Sequence, residues 1–132
     1  MNEDELQMIS ANIGATSDLS LAAGVVRGKF NIGTLFVTLG DKGAFLITDQ
    51  GVTAQATTRQ SQNVVVDSVG AGDAFSAACI YWIIHGRSPV EFLEDACGFA
   101  TQSCLYRGAT TASVEFYAKA KTRWFNHQPS TY

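Results

Sequence analysis

The stretch from Val64 to Ile84 constrains the chain most. Val64, Val65 and Val66 are β-branched and suit a buried strand, and they lead through Asp67, Ser68 and Val69 into Gly70-Ala71-Gly72. GAGDAFSAACIYWIIHG, from Gly70, reads as a helix of about four turns that the glycine turn opens, with Phe75, Ala78, Cys79, Trp82 and Ile83 on one stripe and Gly86 as the stop. A strand that passes through a glycine turn into a helix is a unit of α/β folds. It is also an anion site in physical terms. The first-turn amides of the helix lack intrahelical partners, the helix dipole adds partial positive charge, and glycine lets a phosphate approach the backbone. Gly70, Ala71 and Gly72 would supply those donors. Asp73 then stands beside the bound anion, which it would repel unless it takes a proton from a nucleophile, so it reads as a general base. The plainer alternative is an ordinary helix start in which Asp73 complements the dipole.

The remaining composition fits one domain around this unit. The chain has 132 residues, 46% hydrophobic and 16% charged, with 12 Gly and 2 Pro. A chain of this length buries roughly 65 to 70% of the surface its unfolded form exposes, so it needs no disulfide or metal to make a core. The net charge is −3, and neither sign gathers into a run, which argues against a nucleic-acid partner. No apolar stretch approaches the roughly 20 residues of a membrane span, and MNEDELQ has no signal-peptide character, so the expected setting is cytoplasmic with no membrane partner. Cys79, Cys97 and Cys104 lack metal-ligand spacing and are expected to be small buried apolar residues; His85 and His127 belong to no cluster.

The pattern predicts a first helix over residues 2–12 with Leu6, Met8 and Ile9 inward, and a second after Ser17 carrying Leu19, Leu21, Ala22, Val25 and Val26. TLFVTLG, ending at Gly40, suits a strand buried on both faces of a largely parallel sheet. AFLIT and GVTAQATT flank Asp49-Gln50-Gly51 and predict an antiparallel hairpin, and VVVD is a fourth strand. Ser88, Pro89 and Glu91 form a capping box that starts a helix running to about Tyr106. A loop from Arg107 to Ala112 leads to a final helix from about Ser113 with Val114, Phe116, Tyr117 and Trp124, and the tail from 126 to 132 is expected to fray.

Asp67-Ser68-Val69-Gly70-Ala71-Gly72-Asp73 resembles the D-T-x-G-A-G-D signature of ribokinase-like (PfkB-type) carbohydrate kinases, with Ser for Thr at 68. Three further stretches resemble that family in its own order. Asn2 to Glu5 resembles its N-x-x-E motif, although Asn2 and Glu5 also suit a plain capping box. VTLGDKGAFL resembles its strand and glycine turn beside the nucleotide, and CLYRGATTA resembles the segment closing its adenine pocket.

The resemblance covers nearly the whole chain and implies an α/β fold: the C-terminal half of a ribokinase-like sandwich, with a mixed, mostly parallel sheet and flanking helices. It implies Asp73 as catalytic base and Gly70, Ala71 and Gly72 as anion hole. It implies Thr38, Gly40, Asp41, Gly43, Cys97 and Gly108 along the nucleotide, and Asn2 and Glu5 ordering Mg²⁺ through water. Asp67 and Val69, with loop carbonyls, would serve a monovalent cation such as K⁺, and Ala112 stands where the family often has a hydroxyl. The implied reaction is transfer of phosphate from ATP to the hydroxyl of a small sugar, with fructokinase-like wording in V-G-A-G-D-A-F. Two alternatives remain: a nucleoside kinase of the same family, and a non-catalytic nucleotide-binding fragment or subunit.

Family members carry, ahead of the N-x-x-E motif, an N-terminal part with most of the sheet, the sugar-binding residues and a β lid. None of it is in this sequence. The expectation is a chain inactive alone, with an unpartnered edge at TLFVTLG, that self-associates or pairs with that half.

Overall fold

AFLIT is the strand around which the other elements are arranged, because it is apolar at every position before Thr48. In the computed structural model, which describes residues 1–57 and 65–126, it forms β2, Ala44–Thr48. Successive side chains of a strand point to opposite faces. Phe45 and Ile47 therefore enter one core with Leu6, Ala22, Ala23, Val26, Leu35 and Val37, while Ala44 and Leu46 enter another with Phe75, Ala78, Trp82, Phe92, Leu93 and Ala96. The first core lies under α1 (Glu3–Asn12) and α2 (Leu19–Lys29), the second under α3 (Ala71–Ile84) and α4 (Pro89–Ser103). Helices, sheet and helices make three layers.

The sheet has the order β1-β2-β3, with β1 at Leu35–Thr38 and β3 at Gly51–Ala56. Both pairings are antiparallel: Phe36 opposes Leu46, and Phe45 opposes Gln55. This corrects the expectation of a largely parallel sheet. A parallel crossover needs a dozen or more residues, but β1 and β2 are joined through a single 3₁₀ turn, Gly40–Lys42. Among the described residues the parallel contact is the isolated bridge between Asn2 and Thr38, where the Thr38 amide donates to the Met1 carbonyl at 3.0 Å. The predicted β2–β3 hairpin is present.

VVVD is also corrected. Val64 lies outside the described residues; Val65 and Val66 are 58% and 57% exposed, and the amides of Val66 and Asp67 both donate to the Cys104 carbonyl instead of a neighbouring strand. A β-branched run makes a strand only where a ladder partner is available. Val65 to Asp67 take no place in the sheet, which among the described residues is β1-β2-β3.

The helix boundaries follow their caps. Asn2 and Glu5 close a reciprocal box at α1, Asp18 accepts from the Leu21 amide at α2, and Ser88 with Glu91 opens α4, as predicted. α4 ends at Ser103, a turn earlier than expected. The inward faces are narrower than read from sequence: Met8, Leu21, Val25, Ile83 and Val114 are all exposed. Cys79 and Cys97 are buried, as anticipated, and Cys104 is partly so. No helix among the described residues is long and apolar enough to cross a membrane.

α5 (Val114–Asn126) docks through aromatic rings. Trp124 meets Tyr81, Trp82 and Phe99 at centroid distances of 4.9, 5.3 and 5.1 Å, and Phe116 meets Phe99 and Tyr106 at 5.1 and 5.2 Å. Beside this cluster the buried Asp95 faces Arg87 and Arg123, each at 3.8 Å, and the Arg87 guanidinium lies 4.5 Å from the Trp82 ring centre.

Candidate active site

α3 begins where the sequence says it should. Gly70 is its N-cap with φ 81°, a left-handed conformation that favours glycine, and Asp73 follows in the first turn. Of the three predicted anion donors, Ala71 already gives its amide to the Ser68 carbonyl at 3.2 Å. Asp73 is exposed, and one turn on the Ser76 hydroxyl donates to the Gly72 carbonyl at 2.9 Å.

Two grooves meet at Asp73. The larger, about 470 Å³, runs between α1, β1 and α3 and is walled by Asn2, Glu5, Thr38, Gly72 and Asp73, with Met1, Phe36, Ser76 and Cys79 alongside. It brings together four predicted features that lie up to 71 residues apart in the chain, between Asn2 and Asp73. The smaller groove, about 230 Å³, lies between α3, α4 and α5 and is walled by Asp73, Ala74, Phe99, Ser103, Gly108, Ala109, Thr110, Thr111, Phe116 and Tyr117. Asp73, as catalytic base, and Gly108, as a nucleotide contact, were anticipated as site residues. The aromatic walls were not, because they come from the inner stripes of α4 and α5, which read from sequence as core.

The side chains of Asn2 and Glu5 hold each other's end of the helix. Asn2 Oδ1 accepts from the Glu5 amide and Glu5 Oε2 accepts from the Asn2 amide, both at 2.8 Å. The capping box and the groove position therefore coexist. Asp67 is held differently: Oδ1 accepts from the Val69 amide at 3.0 Å and Oδ2 from the Gly108 amide at 2.9 Å, and these two bonds hold its carboxyl below the usual carboxylate range. Burial pushes the Cys79 thiol up to about 12, so this wall residue is a poor nucleophile.

Four predicted nucleotide residues lie outside both grooves. Gly40 and Asp41 occupy the 3₁₀ turn after β1. Gly43 follows it with φ 104°, and a Cβ there would stand 2.0 Å from the Ala56 carbonyl oxygen, so the close passage of β3 demands glycine whatever else the turn does. Cys97 is 4% exposed within the core under α3 and α4.

Residues 1–115 match the family model described as pfkB family carbohydrate kinase. No curated protein matches. Among solved structures, the ribokinase of Thermotoga maritima is 24% identical with a TM-score of 0.76 over 92% of this chain and 40% of its own. A nucleoside kinase of Burkholderia thailandensis, in complex with inosine, is 23% identical with a TM-score of 0.70 over 94% of this chain and 38% of its own. The ribokinase of Arabidopsis thaliana, complexed with ribose and ATP, is 29% identical with a TM-score of 0.67 over 82% of this chain and 34% of its own. The chain thus spans less than half the length of each of these kinases, and its fold is ribokinase-like. With a family match over most of its length, and Asp73 placed where two grooves join, the chain belongs to the pfkB family of carbohydrate kinases.

Proposed function

We propose that residues 1–132 are the C-terminal, ATP-binding and catalytic part of a kinase that phosphorylates a sugar hydroxyl. The observation that carries this reading is that Asp73 belongs to the walls of both grooves. The smaller groove, with Phe99, Phe116 and Tyr117, suits the flat apolar base of ATP, the glycine turn suits its phosphates, and the larger groove suits the acceptor. The A. thaliana ribokinase with ribose and ATP supports the pairing of these two ligands.

In this reading Asp73 takes the proton of the acceptor hydroxyl as that oxygen bonds to the γ-phosphorus. The bond from phosphorus to the β,γ-bridging oxygen breaks, leaving ADP and the sugar phosphate. The first-turn amides of α3 other than that of Ala71 stabilise charge on the transferring phosphoryl group, and the grooves hold the reactants in line. Among the described residues no group of three or more His, Cys, Asp or Glu could hold a metal ion unaided. The hard oxygens of Glu5 and Asn2 in the larger groove fit an ion brought in on the phosphates and held through its waters. Mg²⁺ so bound would neutralise phosphate charge.

We further propose that the exposed Ile80, Ile83 and Ile84 of α3, which continue from the larger groove, are covered by the remainder of a kinase of this family or by a second copy. A nucleoside acceptor is the second reading, favoured by the likeness to the B. thailandensis nucleoside kinase. Calorimetry of MgATP with the chain, followed by a phosphorylation assay over sugars and nucleosides with the whole kinase, tests the two acceptor readings. Binding and sugar turnover are expected. Nucleoside turnover alone selects the second reading, and no nucleotide binding by a folded chain overturns both.

A further inference from the structure

We infer that Asp67 is a positioning residue: its carboxylate fastens the turn before α3 to the loop between α4 and α5, so that Asp73 and the wall of the smaller groove keep a fixed spacing. The inference rests on the reading of that groove as the nucleotide site. Oδ1 closes the local turn on the Val69 amide, while Oδ2 reaches across 41 residues of sequence to the Gly108 amide at 2.9 Å. Two more bonds join the same segments, from the Val66 and Asp67 amides to the Cys104 carbonyl at 2.9 and 3.1 Å. Gly70 then passes so close to Ala109 that a Cβ on it would stand 2.5 Å from the Ala109 Cα.

The loop from Cys104 to Ser113 has neither helix nor strand, yet it supplies Gly108, Ala109, Thr110 and Thr111 to the groove wall. A loop without its own ladder takes its position from such cross-connections. Asp67 lines neither groove, so its effect on a nucleotide passes through Gly108 and the turn. Only a carboxylate fills both positions, since both partners are N–H donors. An asparagine offers one acceptor oxygen and would aim its own N–H₂ at the second amide.

The test compares the parent chain with Asp67→Asn and Asp67→Ser. The serine hydroxyl can still close the local turn but is too short for Gly108. Hydrogen exchange at the Gly108 amide and ADP affinity by calorimetry are measured in potassium and in potassium-free buffer. The Gly108 amide is expected to exchange slowly in the parent and fast in both variants, with the α3 amides unchanged. ADP affinity should fall about tenfold, as for loss of one charge-assisted hydrogen bond, by the same factor with and without potassium. In the whole kinase the loss should appear in KM for ATP more than in kcat.

Three results would overturn the inference: a Gly108 amide in the parent as fast as its exposed neighbour Arg107; variants that keep parental affinity; or a loss confined to potassium buffer, which would make Asp67 a cation ligand. If the parent binds no ADP, the nucleotide reading fails, while the exchange rates still decide whether Asp67 holds the loop.

Discussion

Gly70 and Ala109 belong to different elements, yet a Cβ on the first would meet the Cα, Cβ and carbonyl oxygen of the second at 2.5, 2.7 and 2.7 Å. Backbone atoms cannot step aside for it. Gly70→Ala should therefore destabilise the chain by about 2 kcal/mol or more, combining the left-handed strain with the clash. Gly72→Ala is the control: its Cβ would meet nothing within 4 Å inside a helix, so stability should hold or rise by about 0.5 kcal/mol. Urea unfolding of both variants measures the contrast.

Asp73 is exposed at the junction of the grooves, so its replacement should spare the fold and damage the chemistry. In the whole kinase Asp73→Asn should lower kcat by about 10² to 10⁴, the usual worth of a positioned base, with ATP affinity kept or slightly raised. A steady-state assay with thermal unfolding alongside would reject the assignment if turnover stayed within a few-fold of the parent.

Asp95 is the only buried acidic residue among the described residues. Removing it as Asp95→Ala strands Arg87, itself only 16% exposed at the side chain, and should cost about 3 kcal/mol. Arg123→Ala removes a half-exposed partner at 3.8 Å and should cost about 1 kcal/mol or less. Denaturant midpoints at one pH rank the two, and equal losses would mean that α5 depends on Arg123 far more than its exposure suggests.

Glu91 accepts from the Ser88 amide at 3.0 Å, which lowers its carboxyl below the ordinary value of 4.5. A group with a depressed folded value stabilises above its unfolded value and loses that contribution as pH falls through the folded one. The gap in Tm between parent and Glu91→Gln should thus be constant from pH 7 to about pH 5 and close below about pH 4. A gap that widens in acid would contradict the cap.

Burial pushes the Cys79 and Cys97 thiols up to about 12 and about 11, whereas Cys104 is partly exposed. Alkylation at about pH 8, near the ordinary thiol range, should modify Cys104 first and the other two only on unfolding. Mass spectrometry of the labelled peptides reports the order.

Local chemistry was legible in the sequence wherever a few neighbouring residues decide it. The Asn2–Glu5 and Ser88–Glu91 boxes, the hairpin turn at Asp49 to Gly51 and the glycine start of α3 all stand where the residues put them. Strand direction was not legible, because the β-branched pattern of Leu35 to Thr38 is the same in either sense and only the short Gly40–Lys42 connection decides it. The same limit hid Phe116 and Tyr117. Their spacing marks an apolar helix face, while their place in a groove depends on how far α5 stands from α3.

Both tryptophans of the chain, Trp82 and Trp124, sit with ring centres 5.3 Å apart in the layer of α3, α4 and α5. No indole touches the core under α1 and α2. Intrinsic fluorescence is therefore a one-sided probe: it follows the undocking of α5 and the fate of the layer behind Asp73. Opening of the α1–α2 layer, which carries Asn2 and Glu5, would leave the emission unchanged while circular dichroism recorded the lost helix. Divergence between those two signals, read on one titration, would show that the two faces of the sheet come apart separately.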